Sequence, residues 1–171
     1  TDWKNFKIKN SDLDGQITEK LLLNSIKSSI PNNDQGITIS LSSGIDSSLC
    51  LGLLRNVFPK RKITAICGVF ENGNDESKIA KKIADKFSAD FKIVYMDSIF
   101  TNMPEIISIS KKPRWNTYNH LISKEAKKYS NYLVTGDGAD ELFGGYTFRY
   151  KKFIQLYKPH DTWLTKINGQ L

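Results

Sequence analysis

Four serines, a glycine and an aspartate crowd into Ser42-Ser43-Gly44-Ile45-Asp46-Ser47-Ser48. The preceding Ile37-Thr38-Ile39-Ser40-Leu41 reads as a strand and the residues after it as a helix, so this is a strand-to-helix turn. Backbone N–H groups of such a turn, backed by the positive end of a helix dipole, suit a phosphate chain. The hydroxyls of Ser42, Ser43, Ser47 and Ser48 add donors, and Gly44 permits a positive φ or a close approach. Asp46 would repel a phosphate unless its carboxylate holds Mg²⁺ that bridges to the phosphate oxygens. The segment points to a magnesium–nucleotide site. The plainer alternative is an ordinary turn with serine as the helix N-cap.

A second segment, Gly136-Asp137-Gly138-Ala139-Asp140-Glu141-Leu142-Phe143-Gly144-Gly145-Tyr146, also follows a predicted strand. On a helix starting near 138, Asp137 and Asp140 would share a face. Crowded carboxylates need a cation or solvent to relieve their repulsion, although acids are also welcome at a helix N-terminus. Mg²⁺ bridging Asp46 and Asp140 accounts for both segments at once. Neither is a common phosphate motif: no Gly-Lys-Ser/Thr follows the first, and Glu141 stands where a dinucleotide fingerprint needs its third glycine. A serine-rich turn with an embedded aspartate suits a ligand whose pyrophosphate leaves as a unit.

The elements that must position these residues alternate along the chain. Apolar residues at 17, 21, 22, 26 and 30 predict a helix ended by Pro31, and 37–41 a first strand. A helix over about 46–57, a strand over 62–70 and a helix from near Glu76, capped by Asp75, follow; Ile79, Ala80, Ile83, Ala84 and Phe87 form the buried face of the last. Residues 91–95 read as a third strand, 98–110 as a helix broken by Pro104, and 117–129 as an amphipathic helix. In that last helix Tyr118, Leu121, Ile122, Ala126 and Tyr129 face inward, and 132–135 is a short apolar strand. Trp3, Phe6 and Ile8 anchor a polar N-terminal arm. Alternating elements with apolar strands predict an α/β fold, a doubly wound parallel sheet with helices on both faces. Ligands of such sheets bind beyond the carboxyl ends of the strands, where both glycine-bearing segments fall.

Bulk properties set the frame. A chain of 171 residues, 39% hydrophobic and 25% charged, fits a single domain with its own core. No apolar run approaches the roughly 20 residues of a membrane span, and no signal peptide is apparent. The two cysteines, Cys50 and Cys67, read as buried small hydrophobes, which fits a reducing, cytoplasmic setting. The net charge of +7 is spread over lysine pairs at 81–82, 111–112, 127–128 and 151–152, the pattern of a solvated surface rather than a nucleic-acid face. His120 and His160 belong to no cluster with metal spacing, and packing explains Trp115 as readily as a site role.

The two segments together carry a family resemblance. Residues 42–47 are similar to the SGGxDS pyrophosphate loop of N-type ATP pyrophosphatases, and 135–146 resembles the SGEGxDExFGGY segment of the asparagine synthetase family. The first motif is shared with GMP synthetases, NAD synthetases and tRNA-thiolating enzymes; the second is far more selective. The resemblance covers roughly residues 16–155, and Asp75-Glu76-Ser77 fits the same family.

The resemblance implies the synthetase domain of a glutamine-dependent amide ligase, an adenine-nucleotide α-hydrolase-like fold using ATP and Mg²⁺. A carboxylate, aspartate by default, would be adenylated with release of pyrophosphate, and ammonia or an amine would then displace AMP. Ser42, Ser43, Gly44 and Ser47 would cradle pyrophosphate, with Asp46 and Asp140 on Mg²⁺. Leu41 and Gly68, at the ends of the first two strands, would border adenine, and Gly136 would pack by the ribose. Asp137 would handle the incoming nucleophile or its proton, in place of the family's glutamate. Ser43 replaces a family glycine, and Asp137 is one methylene shorter than the expected residue. A glutaminase domain and the family's later helical part, with its catalytic lysine, have no counterpart in these residues, so a separate glutaminase or other ammonia source is expected. Lys151 and Lys152 are nearby but read as solvated. A nucleotide-binding module without catalysis and a tRNA-modifying relative are the competing readings.

Overall fold

Isoleucine, threonine and valine dominate 37–40 and 63–70, and their branched side chains favour extended backbone with both faces covered. The computed structural model describes residues 15–71, 73, 75–96, 100–112, 118–148 and 151–152, with the side chain of Tyr118 outside that description. Trp3, Phe6, Ile8, Trp115 and His160 lie outside the described residues. Those described form two compact units, one ending at Gly136 and one beginning at Asp137.

The first unit is built on four parallel strands: β1 (Ile37–Ser40), β2 (Ile63–Phe70), β3 (Asp90–Met96) and β4 (Leu133–Val134). Their spatial order is β3-β2-β1-β4. The register pairs Ile37 with Ile63, Thr64 with Asp90, and Thr38 with Leu133. Five helices accompany the sheet: α1 (Gln16–Ser29), α2 (Ile45–Val57), α3 (Ser77–Lys86), α4 (Met103–Ser110) and α5 (Tyr118–Ala126). On one face Ile37, Ile39, Ala65 and Cys67 pack with Leu51 and Leu54 of α2 and with Ala80 and Ala84 of α3. On the other, Ile66 packs with Ile122 and Ala126 of α5, flanked by Val94 and Leu133. Helices cover both faces, and the expected doubly wound sheet is what forms.

Several expected faces shift. Helix α1 buries none of its residues, and Ile17 and Leu21 are exposed; only Ile26 and the capping Ile30 join the core. In α3 Ala80 and Ala84 are buried, and Ile83 and Phe87 pack against the same core, while Ile79 is left in solvent. Pro104 opens α4 instead of breaking it, since the first-turn N–H it lacks has no intrahelical partner in any case. Strand β3 is an edge, so Ile93 and Tyr95 remain exposed, and Tyr129 is likewise not buried. Among the described residues no helix is long and apolar enough to cross a membrane. Of the lysine pairs, Lys81 bonds Asp85 one turn on and Lys128 reaches Glu125 at 2.6 Å, so these cations are partly spent on local acids.

The second unit holds α6 (Ala139–Phe143) between Gly138, at φ 93°, and Gly144, at φ 71°. Both glycines adopt the left-handed region that residues with a Cβ avoid, and they start and stop a helix of five residues. The amide of Gly145 closes that end by donating to the carbonyl of Asp140 at 3.0 Å.

Candidate functional site

The order β3-β2-β1-β4 makes β1 the strand from which the chain departs toward β2 while β4 arrives on its other side. A crevice must open at the carboxyl end of β1, and the 41–47 turn and residues 135–136 after β4 meet there. Their contact is direct. A Cβ on Gly136 would stand 3.1 Å from the amide nitrogen of Ser47 and 3.2 Å from Cβ of Asp46, so the backbone after β4 runs against the first turn of α2. The thiol of Cys50, one turn further on, lies 3.9 Å from the carbonyl of Thr135.

The turn secures itself through its side chains. The amide of Ser42 donates to Ser47 Oγ at 3.1 Å, and that of Gly44 to Ser42 Oγ at 3.1 Å. The Ser42 and Ser47 hydroxyls lie 3.0 Å apart, Ser48 donates to the carbonyl of Gly44 at 2.7 Å, and Ser43 bonds outward to Glu76. The hydroxyls expected to face a ligand therefore staple the loop. Gly44 is the N-cap of α2 at φ −72° and ψ 154°, so positive φ is not what it supplies. Its role is the close approach, because a Cβ there would press on Ser42 Oγ at 3.1 Å. Ser43 also avoids positive φ, so replacing the family's glycine introduces no backbone strain.

What the turn leaves open is the first turn of α2. The amides of Ile45, Asp46 and Ser47 have no acceptor among the described residues, as expected of first-turn amides without an intrahelical partner. These donors, together with the helix dipole, are of the kind that suits an anion. Asp46 is half-buried beside them, and no described side chain bonds or pairs with its carboxylate. An unengaged carboxylate next to an anion cradle is chemically suited to a hard cation that brings phosphate oxygens with it. No group of three or more His, Cys, Asp or Glu gathers among the described residues. A magnesium ion completed by phosphate and water oxygens needs no such group.

Leu41 is buried, and its amide donates to the carbonyl of Ile66 at 2.8 Å, so only its carbonyl is free toward a base. Gly68 is not at a strand end: β2 continues to Phe70, and the pairing of Ser40 with Ile66 sets Gly68 two positions beyond the last residue of β1. A Cβ on Gly68 would overlap the methyl of Met96 and press on Ile122, so a larger residue there requires those two side-chain ends to move.

In the second unit, Asp140 lies in the first turn of α6 and Asp137 precedes the N-cap Gly138. The expected shared helical face for Asp137 and Asp140 therefore does not form, because the left-handed Gly138 turns the chain before the helix begins. Glu141 accepts from the Tyr146 hydroxyl at 2.8 Å, and Lys151 and Lys152 are exposed. Sequence reasoning passed over Glu76 as a contributor to the serine turn, and spacing alone offers no signal for a bond between residues 33 positions apart.

Comparison with known proteins bears on the family and the fold. The family described as asparagine synthase matches residues 18–166. Asparagine synthetase [glutamine-hydrolyzing] 1 of Bacillus subtilis is 30% identical over 126 residues, 71% of this chain. That match takes in 20% of the relative, so the chain spans about a fifth of its length. Among solved structures, NMN synthetase from Francisella tularensis superposes with TM-score 0.55 at 18% identity, over 81% of this chain and 59% of that one. Glutamine-dependent NAD+ synthetase from Acinetobacter baumannii, solved with ADP, gives TM-score 0.50 at 19% identity, over 82% of this chain and 29% of that one. These likenesses establish the adenine-nucleotide α-hydrolase-like fold. With the matched family spanning the whole sheet and both glycine-bearing segments, the chain belongs to the asparagine synthase family.

Proposed function

We propose that this chain is the ATP-using part of an AMP-forming amide ligase of the asparagine-synthetase type. The observation that carries the reading is the set of free Ile45, Asp46 and Ser47 amides beside the unengaged Asp46 carboxylate. That arrangement suits a pyrophosphate group with its metal. The substrate carboxylate, aspartate by default, attacks the α-phosphorus of ATP, the α–β anhydride bond breaks, and pyrophosphate leaves. Ammonia or an amine then attacks the acyl carbon, and the bond to AMP breaks.

In this reading the 42–47 turn holds the leaving pyrophosphate, and Leu41 and Gly68 border the base. Gly136 packs beside the ribose. Asp46 and Asp140 are assigned to Mg²⁺, which when bound neutralises phosphate charge; the assignment of Asp140 rests on the sequence motif. Asp137 is assigned to the incoming nucleophile or its proton on the same ground. Catalysis of this kind relies on positioning and charge neutralisation more than on covalent help. The nitrogen is proposed to come from a glutaminase or from free ammonia, and the setting to be cytoplasmic.

The test is pyrophosphate exchange measured against a panel of carboxylic acids, with and without Asp46→Asn. Exchange that depends on one acid and falls at least a hundredfold in the variant supports the reading. Unchanged exchange in Asp46→Asn sinks it, and binding of MgATP with no AMP formed would favour a nucleotide-binding module instead.

A further inference from the structure

The serine turn has one acceptor that it does not provide for itself. Glu76 Oε2 accepts from the amide of Ser43 at 3.0 Å and from its hydroxyl at 2.8 Å. Every other satisfied donor in residues 42–48 is served from within the turn. The backbone of Glu76 is held by the start of α3. Glu76 is the N-cap of α3, its carbonyl accepts from the amides of Ile79 and Ala80, and Asp75 Oδ1 accepts from the amide of buried Ser77 at 2.9 Å. The carboxylate thus ties the loop after β1 to the loop after β2, across the rim where the first-turn amides of α2 lie open.

We propose that Glu76 is a positioning residue for the pyrophosphate loop, acting through Ser43 to hold the amides of Ile45, Asp46 and Ser47 in a binding-ready arrangement before the nucleotide arrives. A carboxylate accepting two donors is a strong charge-assisted clamp, and a site ordered in advance loses less entropy on binding. The serine at 43 matters because its hydroxyl supplies the second bond, which the family's glycine cannot make. The opposing physical effect is repulsion between the Glu76 charge and the phosphate oxygens, and the choice of variants separates the two. Glu76→Gln keeps an acceptor for Ser43 and removes the charge, whereas Glu76→Ala removes both.

The inference rests on reading residues 42–48 as the pyrophosphate site. The experiment is calorimetric titration of the 171-residue chain with MgATP and, separately, with inorganic pyrophosphate and Mg²⁺. Amide hydrogen exchange of the unliganded turn supplies the second readout. Glu76→Ala should weaken both ligands about tenfold and speed exchange at Ser43, Glu76→Gln should stay within about threefold of the parent, and Ser43→Gly should fall between. No binding by the parent chain overturns the ligase reading and this inference with it. Binding by the parent with equal or tighter binding by Glu76→Ala overturns this inference alone, as does tighter binding by Glu76→Gln, which would make repulsion the dominant effect.

Discussion

At the scale of single residues, Gly136 has the narrowest tolerance in the site, because what stands against it is backbone. A Cβ there would meet the Ser47 amide nitrogen at 3.1 Å, Asp46 Cβ at 3.2 Å and the Asp46 carbonyl carbon at 3.3 Å. A flexible side chain could step aside, but the first turn of α2 can yield only by moving the anion cradle. Gly136→Ala should therefore weaken MgATP binding tenfold or more, while overpacking destabilises the fold by about 1–3 kcal/mol. Calorimetry and urea denaturation measure the two effects separately. Gly68 is a contrasting case, since its neighbours are the ends of the Met96 and Ile122 side chains.

At the scale of elements, α4 and α5 are joined by one acid serving two bases. Glu105 Oε1 lies 3.2 Å from Lys124 Nζ and 3.3 Å from His120 Nε2. The Lys124 hydrogen bond, with His120 second, holds the Glu105 carboxyl below its usual range. A carboxyl depressed in the folded state binds its proton more readily in the unfolded chain, so the contact stabilises at neutral pH and is lost as pH falls through the carboxylate range. Glu105→Gln should lower Tm modestly at pH 7, and the gap from the parent should close toward pH 4. Thermal melts at both values, repeated in high salt to screen an exposed pair, check this. Pro104, one residue before Glu105, helps define where α4 begins.

At the scale of the whole molecule, burial in the fold works against ionisation of both thiols. Burial, followed by the charges of Glu76 and Asp75, pushes Cys67 up to about 11, and burial with Asp46 raises Cys50. Thiolate is the reactive form, so a native sample at pH 8 should react slowly with a thiol reagent, and both cysteines should react at once in urea. Rapid labelling of two thiols in the native protein would contradict this packing. The result bears on the core directly, because Cys67 sits among Ile39, Ala65 and Ala80.

The serine turn, the acidic glycine-rich segment and the alternation of elements were legible in the linear chain, because each depends on local chemistry or on hydrophobic period. Residues 37–70 illustrate this, with β1, α2 and β2 falling within a residue of their expected bounds. Burial was harder to read: Ile17, Leu21 and Ile79 match an amphipathic pattern yet face solvent, since the pattern cannot say how much of a stripe finds a partner. Tertiary structure decided that the hydroxyls of Ser42, Ser47 and Ser48 are spent within the turn, that its open donors are three helix amides, and that Glu76 reaches Ser43. The Glu76–Ser43 contact joins segments that only the parallel strand order brings together, so no spacing along the chain could reveal it.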